Sequence, residues 1–259
     1  WKLSSSYYTH GFLVPIVSAV LIWQKRDRLA QLERIPALVG YVWITGACLF
    51  LLMGDYLSFR VFSQLSMIPM IVGVCLLFEG TARTRTIWFP IAYLIFMIPI
   101  PPSLTQSILF KLKIVAAKSA VLLSNGLGLP MVQDGSRILW STPLGIDQLQ
   151  VGDVCGGLRS LIALLAFGAL MAYLSKTQSW AKILLLAVSP FIAVIANVFR
   201  IFLLCIVGYF WGSEIAAGTV HDVSGYLIFV VAFAMFFGLE MLLRKYAPQR
   251  SDESQEDAS

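Results

Sequence analysis

Apolar residues run along this chain in long stretches broken by short polar loops. Seven apolar segments stand out, at roughly 11–23, 36–54, 62–80, 87–100, 156–174, 183–211 and 222–243. Stretches of about 20 apolar residues match the thickness of a bilayer core, and lipid offers backbone groups no hydrogen-bond partner outside a helix. The pattern therefore predicts an all-α polytopic membrane protein with about seven transmembrane helices.

The loops between these segments are asymmetric in charge. The first, third, fifth and seventh segments are followed by Lys25, Arg26, Arg28 and Arg34; by Arg83 and Arg85; by Lys176 and Lys182; and by Arg244, Lys245 and Arg250. The intervening loop at 55–61 carries only Arg60. Basic loops stay in the cytoplasm, so the alternate loops face outward. That orientation puts residues 1–10 outside. One more spanning helix upstream accounts for this, giving eight in full.

The stretch 101–154 departs from the alternation. Pro99, Pro101 and Pro102 stop a helix. Residues 103–124 then read as an amphipathic helix in the outer interface, because Lys111, Lys113 and Lys118 sit across its middle. A further crossing here would also reverse every later loop. The segments 131–140 and 145–151 read as a small hairpin, with turn signals at Asp134-Gly135 and Thr142-Pro143-Leu144-Gly145. The expected organisation is one membrane-embedded domain over 1–250 with a helix-plus-hairpin extracytoplasmic cap at 101–154. Residues 251–259 form an acidic tail expected to be disordered in the cytoplasm.

Composition agrees. The chain is 58% hydrophobic and only 13% charged, with a mean hydropathy of +0.81. So little charge could not cover the apolar surface of a soluble domain. The net charge of +5 is explained by the basic loops, so no nucleic-acid partner is expected. The four cysteines show no CxxC and no disulfide framework. With two histidines and no cysteine pair, neither a metal site nor a cofactor is expected.

Three reactive side chains come out at one level. Cys155 opens the fifth segment from the outside and His221 opens the seventh. Arg200 follows the cytoplasmic Lys182 by 18 residues, a rise of roughly 27 Å in a core of about 30 Å. Together they suit acyl transfer: a thiolate nucleophile, an imidazole acid or base, and a permanent cation for an oxyanion. Asn197 lies one turn before Arg200 on the same face, and Arg159 one turn inside Cys155. Nearby guanidinium groups lower a thiol's pKa. Each residue has a structural alternative: a packing cysteine, an interfacial histidine, an arginine snorkelling to headgroups. His10 also lies outside, and no catalytic role is assigned to it.

The segment Gly152-Asp153-Val154-Cys155-Gly156-Gly157-Leu158-Arg159-Ser160 resembles the nucleophile motif of the exosortase/archaeosortase family. Asn197-Val198-Phe199-Arg200-Ile201 is similar to its Asn-x-x-Arg-Ile motif, and His221 through Gly225 to its His-x-x-x-Gly motif. Tyr8 through Pro15 and Ile98 through Pro101 are similar to two further blocks of the family, in the same order. Gly156 departs from the usual Ser or Ala.

The resemblance implies a membrane-embedded thiol protease or transpeptidase in a bacterial or archaeal cytoplasmic membrane, its active site on the extracytoplasmic face. Its partners would be membrane lipids and an exported protein ending in a sorting motif, a transmembrane helix and a basic cluster. The acceptor of the acyl group is left open. Cys155 would be nucleophile, Arg200 the oxyanion or positioning group and His221 general acid/base, with Arg159 and Asn197 in support. A transporter or a non-enzymatic assembly factor is the alternative from another class, but no inverted repeat is visible.

Overall fold

The computed structural model describes residues 9–142, 145–152 and 157–246. Cys155 and the acidic tail 251–259 lie outside the described residues. The chain divides into two compact units, Trp1–Leu104 and Thr105–Ser259.

In the first unit a 3₁₀ turn, Thr9–Phe12, runs into α1 (Leu13–Gln24), followed by α2 (Arg26–Gln31), α3 (Gly40–Tyr56), α4 (Arg60–Leu65), α5 (Met67–Thr86) and α6 (Trp88–Tyr93). α5 is kinked at Gly80, where φ is +80°. A Cβ there would lie 2.0 Å from the carbonyl oxygen of Ile35, so only glycine lets the 35–37 strand-like stretch lie along the helix. The Ala37 N–H donates to Leu76 O at 3.0 Å beside it. Arg83 closes this end. Its Nε and Nη2 both donate to Leu29 O, at 3.0 and 2.6 Å, while Nη1 pairs with Glu79.

The second unit begins within α7 (Pro102–Gly126) and continues through β1 (Met131–Asp134), β2 (Arg137–Thr142) and β3 (Gly145–Gln150). Then come α8 (Leu158–Leu174), α9 (Ser179–Trp211), α10 (Ser213–Ala217) and α11 (Thr219–Tyr246). The three strands form an antiparallel meander, β1-β2-β3. This corrects the expected hairpin. The Asp134-Gly135 turn lies inside the stretch first read as one strand, and it splits that stretch so that Asp134 pairs with Arg137.

Two hydrophobic cores organise this unit. Leu164 of α8, Ile192, Ala193 and Ala196 of α9, and Ile228, Ala232 and Phe236 of α11 make a three-helix core. Phe167 stacks into it, 4.5 Å from Phe233 and 5.4 Å from Phe236 between ring centroids. The second core joins the sheet to α7 and the far end of α9. Met131, Ile138, Trp140, Leu149 and Val151 pack with Ala116, Ala117 and Ala120 and with Ile201, Leu204 and Cys205. Alanines at spacing 116, 117, 120 give α7 one small-residue face that admits the sheet closely, while Lys111 and Lys118 stay exposed.

Helices form along the apolar segments, but seven crossings are not shown by their lengths among the described residues. Three are long and apolar enough to cross a membrane: Arg60–Thr86, Ser179–Trp211 and Val223–Tyr246. Leu13–Gln24, Trp88–Met97 and Leu158–Leu174 are shorter apolar helices. At 1.5 Å per residue, the 17 residues of α8 rise about 25 Å against a core of about 30 Å. The shortening has local causes. Prolines follow Met97, and Gly157 in the left-handed region stops α8 from beginning any earlier.

Candidate active site

α9 is 33 residues long, and one short stretch of it organises the site. Arg200 and Asn197 lie three apart on the same helical face, and both are buried, at 6% and 3% exposure. Each meets the beginning of a different helix.

Arg200 meets α11. Its Nε donates to Ser224 Oγ at 2.9 Å and its Nη2 to the backbone oxygen of His221 at 3.0 Å. Nη2 also lies 3.5 Å from His221 Nε2. The Ser224 hydroxyl donates in turn to His221 O at 2.7 Å. Every one of these acceptors is neutral, and among the described residues Arg200 makes no ion pair. A guanidinium buried without a counter-anion keeps its full field for a negative charge that arrives later.

Asn197 meets α8. Gly157 precedes that helix with φ +77°, and a Cβ there would lie 2.8 Å from both Cγ and Nδ2 of Asn197. The positive φ and the close approach both require glycine. Gly157 O accepts hydrogen bonds from Ser160 Oγ at 2.9 Å and from the Leu161 N–H at 2.8 Å, which starts α8. Cys155, two residues before Gly157 in sequence, is outside the described residues. Arg159 is half-buried, and its Nε is fully buried with no hydrogen-bond partner among the described residues.

The structure thus brings His221, Arg200 and Ser224 into one cluster and sets Gly157 against Asn197 one turn away along α9. His10 lies in the first unit, in the 3₁₀ turn Thr9–Phe12.

α9 does not stop at the level of Arg200. It runs eleven residues further, to Trp211, and its last turns carry the sheet. The Trp140 ring lies against Gly208, 2.9 Å from where a Cβ would stand, with Ala216 also within contact. α10 then doubles back beside α9 and delivers the chain through Gly218 to His221.

Asp147 fastens this return. One of its carboxylate oxygens accepts from the Ser213 N–H at 3.1 Å and the other from the Gln148 N–H at 2.8 Å. Partial burial pushes the Asp147 carboxyl up. The hydrogen bonds from the Ser213 hydroxyl and from the two backbone N–H groups outweigh it and hold the pKa below the ordinary value of 3.8. A carboxylate on β3, the strand leading toward Cys155, therefore caps the short helix leading toward His221.

Sequence reasoning did not single out Ser224 or Asp147 as functional. Ser224 had a visible signal, its three-residue spacing from His221 on a helix. Asp147 had none, because its partner is 66 residues away.

The family model described as transmembrane exosortase (Exosortase_EpsH) matches residues 1–238. No curated protein matches the chain, and no solved structure does.

Proposed function

Starting from the premise that this chain belongs to the transmembrane exosortase family, we propose that it is a membrane-embedded thiol protease and transpeptidase acting on the C-terminal sorting signal of exported proteins. Membership supports sorting-signal processing by a multi-pass membrane protein. The arrangement around Arg200 supports the finer reading.

In the proposed reaction the Cys155 thiolate attacks the scissile carbonyl carbon of the sorting signal. A C–S bond forms and the carbonyl π electrons move onto oxygen. The guanidinium of Arg200 stabilises that oxyanion; its Nε and Nη2 are held by the neutral oxygens of Ser224 and the His221 backbone, which position the charge without cancelling it. The tetrahedral adduct collapses, the C–N bond breaks, and the imidazolium of His221 protonates the departing amine. An acceptor, water or an amine, then attacks the thioester and gives its proton to His221, and the thiolate leaves. Asn197 supports the start of α8 beside the nucleophile, and Arg159 adds positive charge that favours the thiolate.

The reading includes a topology. Seven crossings in this chain, with basic loops in the cytoplasm, would put Cys155, Arg200 and His221 on the extracytoplasmic side of a bacterial or archaeal cytoplasmic membrane. A substrate whose own transmembrane helix packs laterally against the enzyme would then present its motif at that level, beneath the sheet.

The single observation that carries the proposal is the juxtaposition of a buried Arg200 guanidinium, in no ion pair among the described residues, with the His221 imidazole. The deciding experiment is co-expression with a tagged protein bearing motif, transmembrane helix and basic cluster. Cys155→Ala and Cys155→Ser are expected to abolish processing while the protein still inserts. Normal processing by Cys155→Ala ends the proposal. Mass spectrometry of the product's new C-terminus identifies the acceptor.

A further inference from the structure

A cavity of about 580 Å³ opens in the first unit, lined by Lys25, Arg28, Leu32, Arg85, Thr86 and Trp88 among others. Its position follows from the elements around it. Lys25 succeeds the last residue of α1, Arg85 and Thr86 end α5, and Trp88 opens α6. The cavity therefore sits where apolar helices end, at headgroup depth.

Three cations line it, and among the described residues two of them, Arg28 and Arg85, form no ion pair with a carboxylate. Asp27 pairs with Arg26. Glu79 is taken by Arg34 and Arg83. Lys25 Nζ donates to Thr86 O at 2.6 Å, which sets its ammonium on the negative end of α5. Arg28 and Arg85 are exposed, and among the described residues neither makes an ion pair.

The walls are not those of a free-anion site. Leu32 and the largely exposed Trp88 line it, and Trp23 projects close by in sequence with the Arg26 guanidinium 4.9 Å over its ring. Tryptophan with its apolar body in lipid and its N–H at the headgroups is characteristic of the membrane boundary. Arginine pairs forked acceptors such as phosphate oxygens.

We infer that this cavity binds the phosphodiester headgroup of an anionic phospholipid, with Arg28 and Arg85 on the phosphate and the acyl chains following the apolar wall past Trp88. Basic pockets between membrane helices take such headgroups as a class. The site is separate from the proposed catalytic groups, and it stands whether or not the thiol mechanism is correct.

The test uses the purified full chain in neutral detergent. Binding of dioctanoyl phosphatidylglycerol, dioctanoyl phosphatidylcholine and glycerophosphate is measured by thermal unfolding titration. Phosphatidylglycerol is expected to bind at least about tenfold more tightly than phosphatidylcholine, and Arg28→Gln or Arg85→Gln to weaken it about fivefold each. Arg28→Lys/Arg85→Lys is expected to retain most of the binding, and Arg60→Gln all of it. An unchanged melting temperature without lipid and an unchanged far-UV circular dichroism spectrum show that the variants are folded.

Three results overturn the inference: equal binding of the two lipids, an unaltered phosphatidylglycerol affinity in Arg28→Gln/Arg85→Gln, or glycerophosphate binding as tightly as the lipid, which makes the site one for free phosphate. A fourth overturning result is a charge-dependent stability that vanishes on deleting residues 251–259 and ignores lipid. That result gives the pocket to the chain's own acidic segment.

Discussion

Arg200 is held to α11 by a hydrogen bond from its Nε to Ser224 Oγ, 2.9 Å away. The serine hydroxyl donates its own hydrogen bond to the His221 backbone carbonyl, so the guanidinium and the start of α11 share one anchor. Ser224→Ala removes that anchor without removing charge. Hydrogen bonds to charged groups contribute about 1.5–3 kcal/mol. The processing rate is therefore expected to fall roughly tenfold to a hundredfold, with Ser224→Thr recovering much of it. A Ser224→Ala rate within twofold of wild type would remove Ser224 from the positioning role.

Arg200→Lys preserves the charge but not the fork. A lysine ammonium cannot reach Ser224 Oγ and the His221 carbonyl from two nitrogens of one plane while leaving a third free. We expect Arg200→Lys to insert normally and to process less than about 1% of wild type, a loss of roughly 3 kcal/mol in transition-state stabilisation. Pulse labelling of a tagged substrate measures it, and near-normal turnover would show that charge alone suffices.

Gly157→Ala sets two costs against each other. The left-handed φ costs about 1 kcal/mol for a non-glycine residue; the Asn197 carboxamide, 2.8 Å from the new Cβ, adds a clash. Asn197→Ala in the same chain relieves only the clash. The double variant is therefore expected to melt above Gly157→Ala but below wild type in detergent. Equal melting of single and double variants would mean that Asn197 simply swings away.

Asp147 gives a pH-dependent prediction. Its folded pKa lies below the ordinary 3.8, so its contribution to stability is fully present above the unfolded value. The contribution is lost as pH falls through the folded value. Asp147→Ala should lower the melting temperature at neutral pH, and the difference should shrink as the pH falls through the depressed folded value and vanish well below it. A deficit that persists there would show that packing around Asp147, and not its carboxylate, holds Ser213.

The meeting of Arg200 with His221 was foreshadowed in the sequence because helix rise is fixed by backbone geometry. Counting from Lys182 suffices, and the structure sets the residue against His221 at the start of α11. The third strand was missed because Asp134-Gly135 reads equally as the end of a strand or a turn within one. Its pairing partner Arg137 settles that only in three dimensions. Helix lengths were overestimated where hydrophobicity outruns the helix, as at 94–100, where the apolar run continues into prolines. The link from Asp147 to Ser213 joins a strand to a helix start through tertiary folding, and no local pattern encodes such a contact.

α9 climbs eleven residues beyond Arg200 and props the sheet on its upper turns through Trp140 and Gly208. That is roughly 16 Å of helix above the guanidinium. Under the proposed chemistry this roof turns the enzyme's encounter with its substrate into a search within a plane. Under the proposed topology a polypeptide diffusing in the bilayer would enter beneath the sheet, whereas one arriving from bulk water would meet the sheet first. Selectivity for tethered proteins over free ones would then be a property of the doorway before any sorting motif is read.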